Sequence, residues 1–195
     1  RLLKQLLMHS HPMPIKSQSF NLHELLDTVL SFERSSHPGL RFTAYYDASL
    51  PDIEADRDKL HQVFLNLVRN ASEACPADGR VRVLTRHCAH WELAGTNLDP
   101  TRRYILVSIE DEGPGIPEEL RKNIFKPLFS TKKQGTGLGL SISFRLVESH
   151  GGQLRYQPSE RSGACFQVIL PESQSEPLEE NSPNFVYQDL RQEIS

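Results

Sequence analysis

Between Leu60 and Ala71 the apolar residues Leu60, Val63, Phe64, Leu67, Val68 and Ala71 recur at i, i+3, i+4, i+7, i+8 and i+11. That is the spacing of one helix face. It predicts a helix over about 57–75, capped by Asp56 and closed by Cys75-Pro76. Beside the apolar face, Gln62, Asn66, Asn70 and Glu73 form a second, polar stripe. Another amphipathic helix is predicted from Leu22, Leu25, Leu26, Val29, Leu30 and Phe32. Asn21 is its cap, Glu24 completes a capping-box-like pattern, and Pro38-Gly39 ends it. Residues 1–8 have the character of the last turns of a helix, stopped by Pro12 and Pro14.

Elsewhere the pattern shifts to period two or to short buried runs. Leu40 to Tyr46, Arg80 to His87 (Val81, Val83 and Thr85 on one face) and Arg103 to Glu110 read as strands. Gln153 to Gln157 and Gly163 to Leu170 read as a closing hairpin, with Phe166, Val168 and Leu170 on one side. The polar, Gly- and Pro-containing residues 88–101 are a loop or wide hairpin. Gln134-Gly135-Thr136-Gly137-Leu138-Gly139-Leu140 opens a helix reaching about His150, with Gly151-Gly152 after it. Residues 171–182 have the composition of a linker, and Phe185, Val186, Leu190 and Ile194 give a short amphipathic stretch at the end.

Composition narrows the class. At 195 residues, 37% hydrophobic and 24% charged, the chain fits a soluble globular domain with one core. No apolar run approaches the roughly 20 residues of a membrane span, and no signal peptide is seen. The net charge of −3 is uneven, because residues 171–195 carry −5 and the rest +2. Neither value argues for nucleic acid. Three cysteines without framework spacing favour a reducing, cytoplasmic setting. His87-Cys88-Ala89-His90 has no second ligand cluster, which argues against a zinc site. A chain opening on Arg1 reads as a piece of a longer protein, soluble or membrane-anchored.

Three further stretches carry chemistry. In Asp111-Glu112-Gly113-Pro114-Gly115-Ile116-Pro117 an acid at a strand end precedes two glycines, which lets backbone approach a flat ligand closely. Ile124 to Lys133 mixes aromatics, hydroxyls and cations, too irregular for one element. The three glycines before the last helix free N–H groups at a positive dipole end, a device for phosphates. The spacing Gly-x-Gly-x-Gly without a following Gly-Lys-Ser/Thr is neither a P-loop nor a dinucleotide fingerprint. Singly, each stretch is an ordinary turn or helix surface; together and in order they are specific.

That order resembles the N, G1, F and G2 boxes of the sensor histidine kinases' ATP-binding domain, within the larger group of gyrase, Hsp90 and MutL ATPases. The resemblance covers about residues 15–171. Asp47-Ala48-Ser49-Leu50-Pro51, Ala55-Asp56-Arg57, Asn66-Leu67-Val68-Arg69-Asn70-Ala71 and the Phe129-Ser130-Thr131-Lys132 lid are most similar to nitrogen-regulation NtrB-type sensor kinases. It implies a two-layer α/β sandwich of the Bergerat type, with a mixed, mostly antiparallel sheet of about five strands under three helices. A mobile ATP lid would span about 117–137. Residues 1–14 would then end a dimerisation and phosphoacceptor hairpin, 15–171 form the catalytic domain, and 172–195 an acidic tail.

The resemblance also implies roles. Asp111 accepts from the adenine amino group, and Gly113, Gly115 and Ile116 lie along base and ribose. Asn70 ligates Mg²⁺ and Asn66 meets the phosphates or a metal-bound water. Gly135, Thr136, Gly137, Leu138, Gly139 and Leu140 cradle the phosphates, with Thr131 and Lys132 from the lid and Lys132 on the γ-phosphate. Phe125 and Phe129 fold the lid down. Where the ATPases of the group carry a water-activating glutamate, four residues before the asparagine, this chain has Asn66, which cannot serve as a base. Kinase chemistry is therefore expected over hydrolysis. The expected acceptor is a His on the missing hairpin of a homodimeric parent, feeding the Asp of a response-regulator receiver domain. His23-Glu24 lacks the proline of a phosphoacceptor motif, so the fragment alone is not expected to autophosphorylate. The alternative is a catalytically silent nucleotide-binding switch or scaffold. No membrane contact by this domain is expected.

Overall fold

The computed structural model describes residues 15–132, 135–158 and 163–172. The expected helix end at 1–8 and the stretch after residue 182 lie outside them. In chain order the elements are β1 (Gln18–Phe20), α1 (Leu22–Ser36), β2 (Arg41–Tyr46), β3 (Ile53–Ala55), α2 (Arg57–Ala74), β4 (Arg80–His87), β5 (Tyr104–Asp111), α3 (Glu118–Arg121), α4 (Gly139–Ser149), β6 (Gln153–Pro158) and β7 (Ala164–Pro171). The predicted caps are in place. Asn21 Oδ1 accepts the His23 and Glu24 backbone N–H groups at 2.9 and 3.3 Å. Asp56 Oδ1 accepts that of Lys59 at 3.2 Å.

Five strands form one sheet in the order β2-β4-β5-β7-β6, parallel between β2 and β4 and antiparallel elsewhere. Register places Ala44, Val83, Ile109, Phe166 and Tyr156 in one row across it. Because side chains alternate along a strand, that row and its neighbours two residues away face the helices. Leu25, Leu26 and Leu30 of α1, Leu60, Phe64 and Leu67 of α2, and Leu146 of α4 close the core over them. Each such side chain contributes about 1.5–3 kcal/mol on burial. This is the expected two-layer sandwich. No helix among the described residues is long and apolar enough to cross a membrane.

Three features differ from the reading of the pattern. Phe32 does not join the apolar side of α1: it is 52% exposed, with the Arg69 guanidinium 5.9 Å over its ring. Glu33 is buried instead, because Arg69 Nε of α2, at 3.3 Å, supplies the opposite charge. The three-residue β1 pairs antiparallel with β3, Gln18 opposite Ala55, and has no hydrophobic signature of its own. The 88–101 connection holds a 3-10 turn at His90–Leu93. Its Leu93 and Leu98 cover Tyr104, Leu106 and Ile169 on the other face of the sheet.

Candidate nucleotide site

Asp111 ends β5 and is 2% exposed. Its Oδ1 accepts the backbone N–H groups of Gly113 at 2.9 Å and Ala164 at 3.1 Å. Burial pushes the carboxyl above the usual carboxylate range against the pull of those two donors. The other oxygen has no protein partner among the described residues, which leaves one acceptor free.

The glycines around Asp111 are there for closeness. A Cβ on Gly113 would lie 2.6 Å from the Ala74 carbonyl oxygen at the end of α2. Gly115 has φ +73°, and a Cβ there would lie 2.9 Å from the Gly163 carbonyl oxygen. The end of α2 thus packs against Gly113, and the residue before β7 against Gly115. A flat ring reaching Asp111 passes backbone, not side chains. The Ile116 carbonyl accepts from Arg121 Nε at 3.0 Å, and that guanidinium stacks 5.5 Å from the Tyr156 ring.

One turn back along α2 from Ala74 stands Asn70, with Asn66 a further turn away. The Asn66 amide donates to Ser143 Oγ of α4 at 3.0 Å. A Cβ on Gly139 would fall on the same carboxamide, 3.0 Å from its Cγ. The glycine therefore lets the first turn of α4 close on α2. No side chain caps α4, so its first-turn N–H groups are available to an anion beside the two asparagines.

The lid begins at Pro117. Ile124 is buried, and the Phe125 ring stands 5.2 Å from Phe144 and 6.4 Å from Phe166, so its root is set in the core. Gly137, at φ +66°, folds back on the lid: a Cβ there would be 2.7 Å from Leu128 O and Phe129 N. Lys132 Nζ donates to Asn70 Oδ1 at 3.0 Å and also to Glu73 Oε2.

The structure therefore gathers Asn66, Asn70, Lys132 and Gly139 along the second half of α2, and sets Asp111 and Gly113 against its C-terminal end at Ala74, with Gly115 just beyond. Leu138 is 1% exposed, so its side chain belongs to the core and only its backbone can meet a ligand. Thr131, Gly135 and Thr136 are exposed on the lid. Sequence reasoning missed Ser143, Gly163 and Ala164, which act through register and helix packing, and passed over Glu73 as a member of the stripe. His87 and Cys88 are engaged elsewhere, His87 with Glu172 at 2.6 Å and Ser49 at 3.3 Å, Cys88 with Glu92 at 3.9 Å. An open groove of about 650 Å³ lies on the opposite face of the sheet, lined by Tyr45, Arg80, Arg82, Trp91 and Arg155. It shares none of this chemistry.

A sheet-backed carboxylate with one free oxygen, one to two helical turns from a paired-amide stripe and next to a glycine lid, has the chemistry to hold a purine nucleotide. The chain belongs to the family described as histidine kinase-, DNA gyrase B-, and HSP90-like ATPase, whose sequence profile matches residues 55–174. It is 36% identical over 173 residues to the sensory histidine kinase/phosphatase NtrB of Azospirillum brasilense, covering 87% of this chain and 43% of that protein. The catalytic domain of histidine kinase ThkA superposes with a TM-score of 0.69 at 32% identity, over 81% of this chain and 97% of that one. ThkA in complex with response regulator protein TrrA gives 0.68 at 31% identity, over 88% and 46%. The chain spans about half the length of the NtrB proteins it matches.

Proposed function

We propose that residues 15–171 are the ATP-binding catalytic domain of a cytoplasmic sensor histidine kinase. It would pass the γ-phosphoryl group of ATP to a His on its parent's helical hairpin, for relay to a response-regulator Asp. Residues 1–14 would end that hairpin, in a homodimer, and 172–195 would form an acidic tail. The observation that carries the proposal is Asn66. The position from which a carboxylate would activate water holds an amide pinned to Ser143. The carboxylate on the same stripe, Glu73, stands seven residues, about two turns, further along α2. Water attack has no base here, while in-line transfer to another nucleophile needs only positioning and neutralised charge. The regulator-bound ThkA structure supports a receiver domain as the downstream partner.

The residues fit Mg²⁺ and ATP. Asn70 Oδ1 already faces a cation, the Lys132 ammonium, so it is oriented to accept a positive partner. One amide oxygen is in keeping with the few protein ligands Mg²⁺ takes beside phosphates and water. When bound, Mg²⁺ would neutralise charge on the phosphates. Asn70 would hold it, Asn66 would position the phosphates against the start of α4, and Asp111 would select adenine, since guanine presents a carbonyl where adenine has its amino group.

Calorimetry with ATP, with and without Mg²⁺, on the wild type, Asp111→Asn and Asn70→Asp tests this. The expected result is ATP binding that Asp111→Asn abolishes and whose Mg²⁺ coupling Asn70→Asp alters. Addition of a hairpin carrying the acceptor should then give acid-labile phosphohistidine. Binding without any transfer would favour the silent switch or scaffold.

A further inference from the structure

We propose that Glu73 is the latch of the ATP lid: it holds Lys132 on the amide stripe in the nucleotide-free protein and yields it to the γ-phosphate. The inference rests on the reading of Lys132 as the phosphate cation and adds the residue that controls it.

Asn70 and Glu73 are i and i+3 on α2, so their side chains share a face. The Lys132 ammonium bridges both, at 3.0 Å to Asn70 Oδ1 and in direct contact with Glu73 Oε2. Further back the lid is held by apolar contacts of Ile124, Phe125 and Phe129 with the core. Ser130, Thr131 and Lys132 are exposed, and Lys132 ties them to α2. The turn that aims it is closed by the Lys132 N–H on Ser130 Oγ at 3.1 Å.

Two properties make this pair a latch and not a brace. Both side chains are partly in water, Lys132 43% and Glu73 42% exposed. A solvated ion pair contributes little, so a polyanion can take the lysine from it. The lysine also occupies Asn70 Oδ1, the oxygen read above as the metal ligand. A metal at Asn70 displaces the lysine from that amide alone, whereas a phosphate at Lys132 requires Glu73 to let go. ADP, lacking the γ-phosphate, has no group to collect the lysine. The latch thus biases the lid toward answering ATP and not ADP.

The test is calorimetry of ATP and ADP binding, with Mg²⁺, to the full chain as wild type, Glu73→Gln, Lys132→Met and the double variant. Glu73→Gln should tighten ATP about two- to fivefold, the range of a surface ion pair, and leave ADP unchanged. In the Lys132→Met background the same substitution should change nothing. Chymotryptic cleavage at Leu128 and Phe129 in the nucleotide-free protein should quicken in Glu73→Gln and in Lys132→Met, without adding in the double variant. If Glu73→Gln tightens ADP equally, or keeps its effect without Lys132, Glu73 is only a charge near the phosphates and the latch is overturned. If Lys132→Met leaves ATP affinity intact while Asp111→Asn abolishes it, the site stands but the lysine's role and the latch both fall. Absence of any nucleotide binding would sink the reading of the site itself.

Discussion

His150 Nε2 accepts the backbone N–H of Asp56 at 3.1 Å, tying the end of α4 to the start of α2. With Nε2 as acceptor, the proton is on Nδ1, which donates to the Leu146 carbonyl at 2.6 Å. The imidazole is buried and its two nitrogens are both used only in the neutral form. Asp56 meanwhile takes the N–H groups of Lys16 and Lys59, so one junction fixes the angle at which α4 meets the amide stripe.

This junction should make the fold sensitive to acid. Burial lowers the His150 pKa below its ordinary 6.5, and the nearby Asp56 only partly offsets it. The unfolded chain therefore takes up the proton first. Stability is full above about pH 6.5 and declines as the pH falls below that value toward the folded pKa. His150→Leu leaves the Asp56 N–H unpaired and should cost about 1–3 kcal/mol at pH 7.5. Its melting temperature should also fall less steeply between pH 6.5 and 5, with half-buried His23 supplying part of the remaining slope. Parallel slopes for the two proteins would remove His150 as the cause.

Asp111→Asn should separate binding from stability. The retained Oδ1 can still accept from Gly113 and Ala164, so the loop keeps its shape. The folded pKa of Asp111 is raised by burial, so the ionised group opposes folding at neutral pH; its favourable contribution exists only at low pH and is lost as pH rises through the folded pKa. The variant should melt no lower than wild type at pH 7 while losing ATP affinity by tenfold or more, roughly one lost charge-assisted hydrogen bond. A large drop in melting temperature would mean that the charge serves the fold.

What the sequence discloses here depends on range. The face of α2 is written in twelve consecutive residues, and Asp111-x-Gly-x-Gly lies in five, so both are legible from local spacing. Gly163 and Ala164 are not, because their meaning comes from β7 lying beside β5 with Glu110 opposite Cys165. Ser143 finds Asn66 only after α4 crosses α2, 77 residues along the chain. Phe32 falls one residue short of the inward series of α1, which runs 22, 25, 26, 29, 30 and 33. Glu33 holds that inward place because Arg69, from another helix, supplies its opposite charge, and Phe32 is left exposed under the same guanidinium. The lid forms no single regular element, and its chain turns at positive φ at both Leu128 and Gly137.

Gly139→Ala tests that crossing. Alanine in the first turn of a helix ordinarily gains up to about 1 kcal/mol over glycine. Here its Cβ falls on the Asn66 carboxamide, 3.0 Å from Cγ and 3.2 Å from Nδ2. The propensity gain offsets part of the clash, so the fold should hold while Asn66 is pushed off Ser143. ATP affinity should drop by about tenfold, the scale of one or two displaced polar contacts. Ser143→Ala, which removes the hydrogen bond without the clash, should give a smaller loss in the same direction. Unchanged affinity in Gly139→Ala would show that Asn66 does not need that position.

Glu92→Gln asks whether the two faces of the sheet are independent. Arg86 grips the Glu92 carboxylate with both terminal nitrogens, at 2.6 and 2.8 Å, and the Ala89 N–H adds a third contact at 2.9 Å. The Arg86 bonds hold the carboxyl below the usual range against the opposing effect of burial. Its contribution is therefore present above the ordinary glutamate pKa and lost as the pH falls through the folded one. Glutamine keeps the shape and gives up the charge, at about 1–2 kcal/mol, since Arg86 remains partly solvated. Trp91, the chain's one tryptophan and 77% exposed on the adjoining turn, reports the loosened 88–101 segment by fluorescence. ATP affinity should stay within twofold, because Asp111 and α2 are on the far side of the sheet. A matching loss of nucleotide binding would show instead that the 88–101 turn is coupled through β5 to the site.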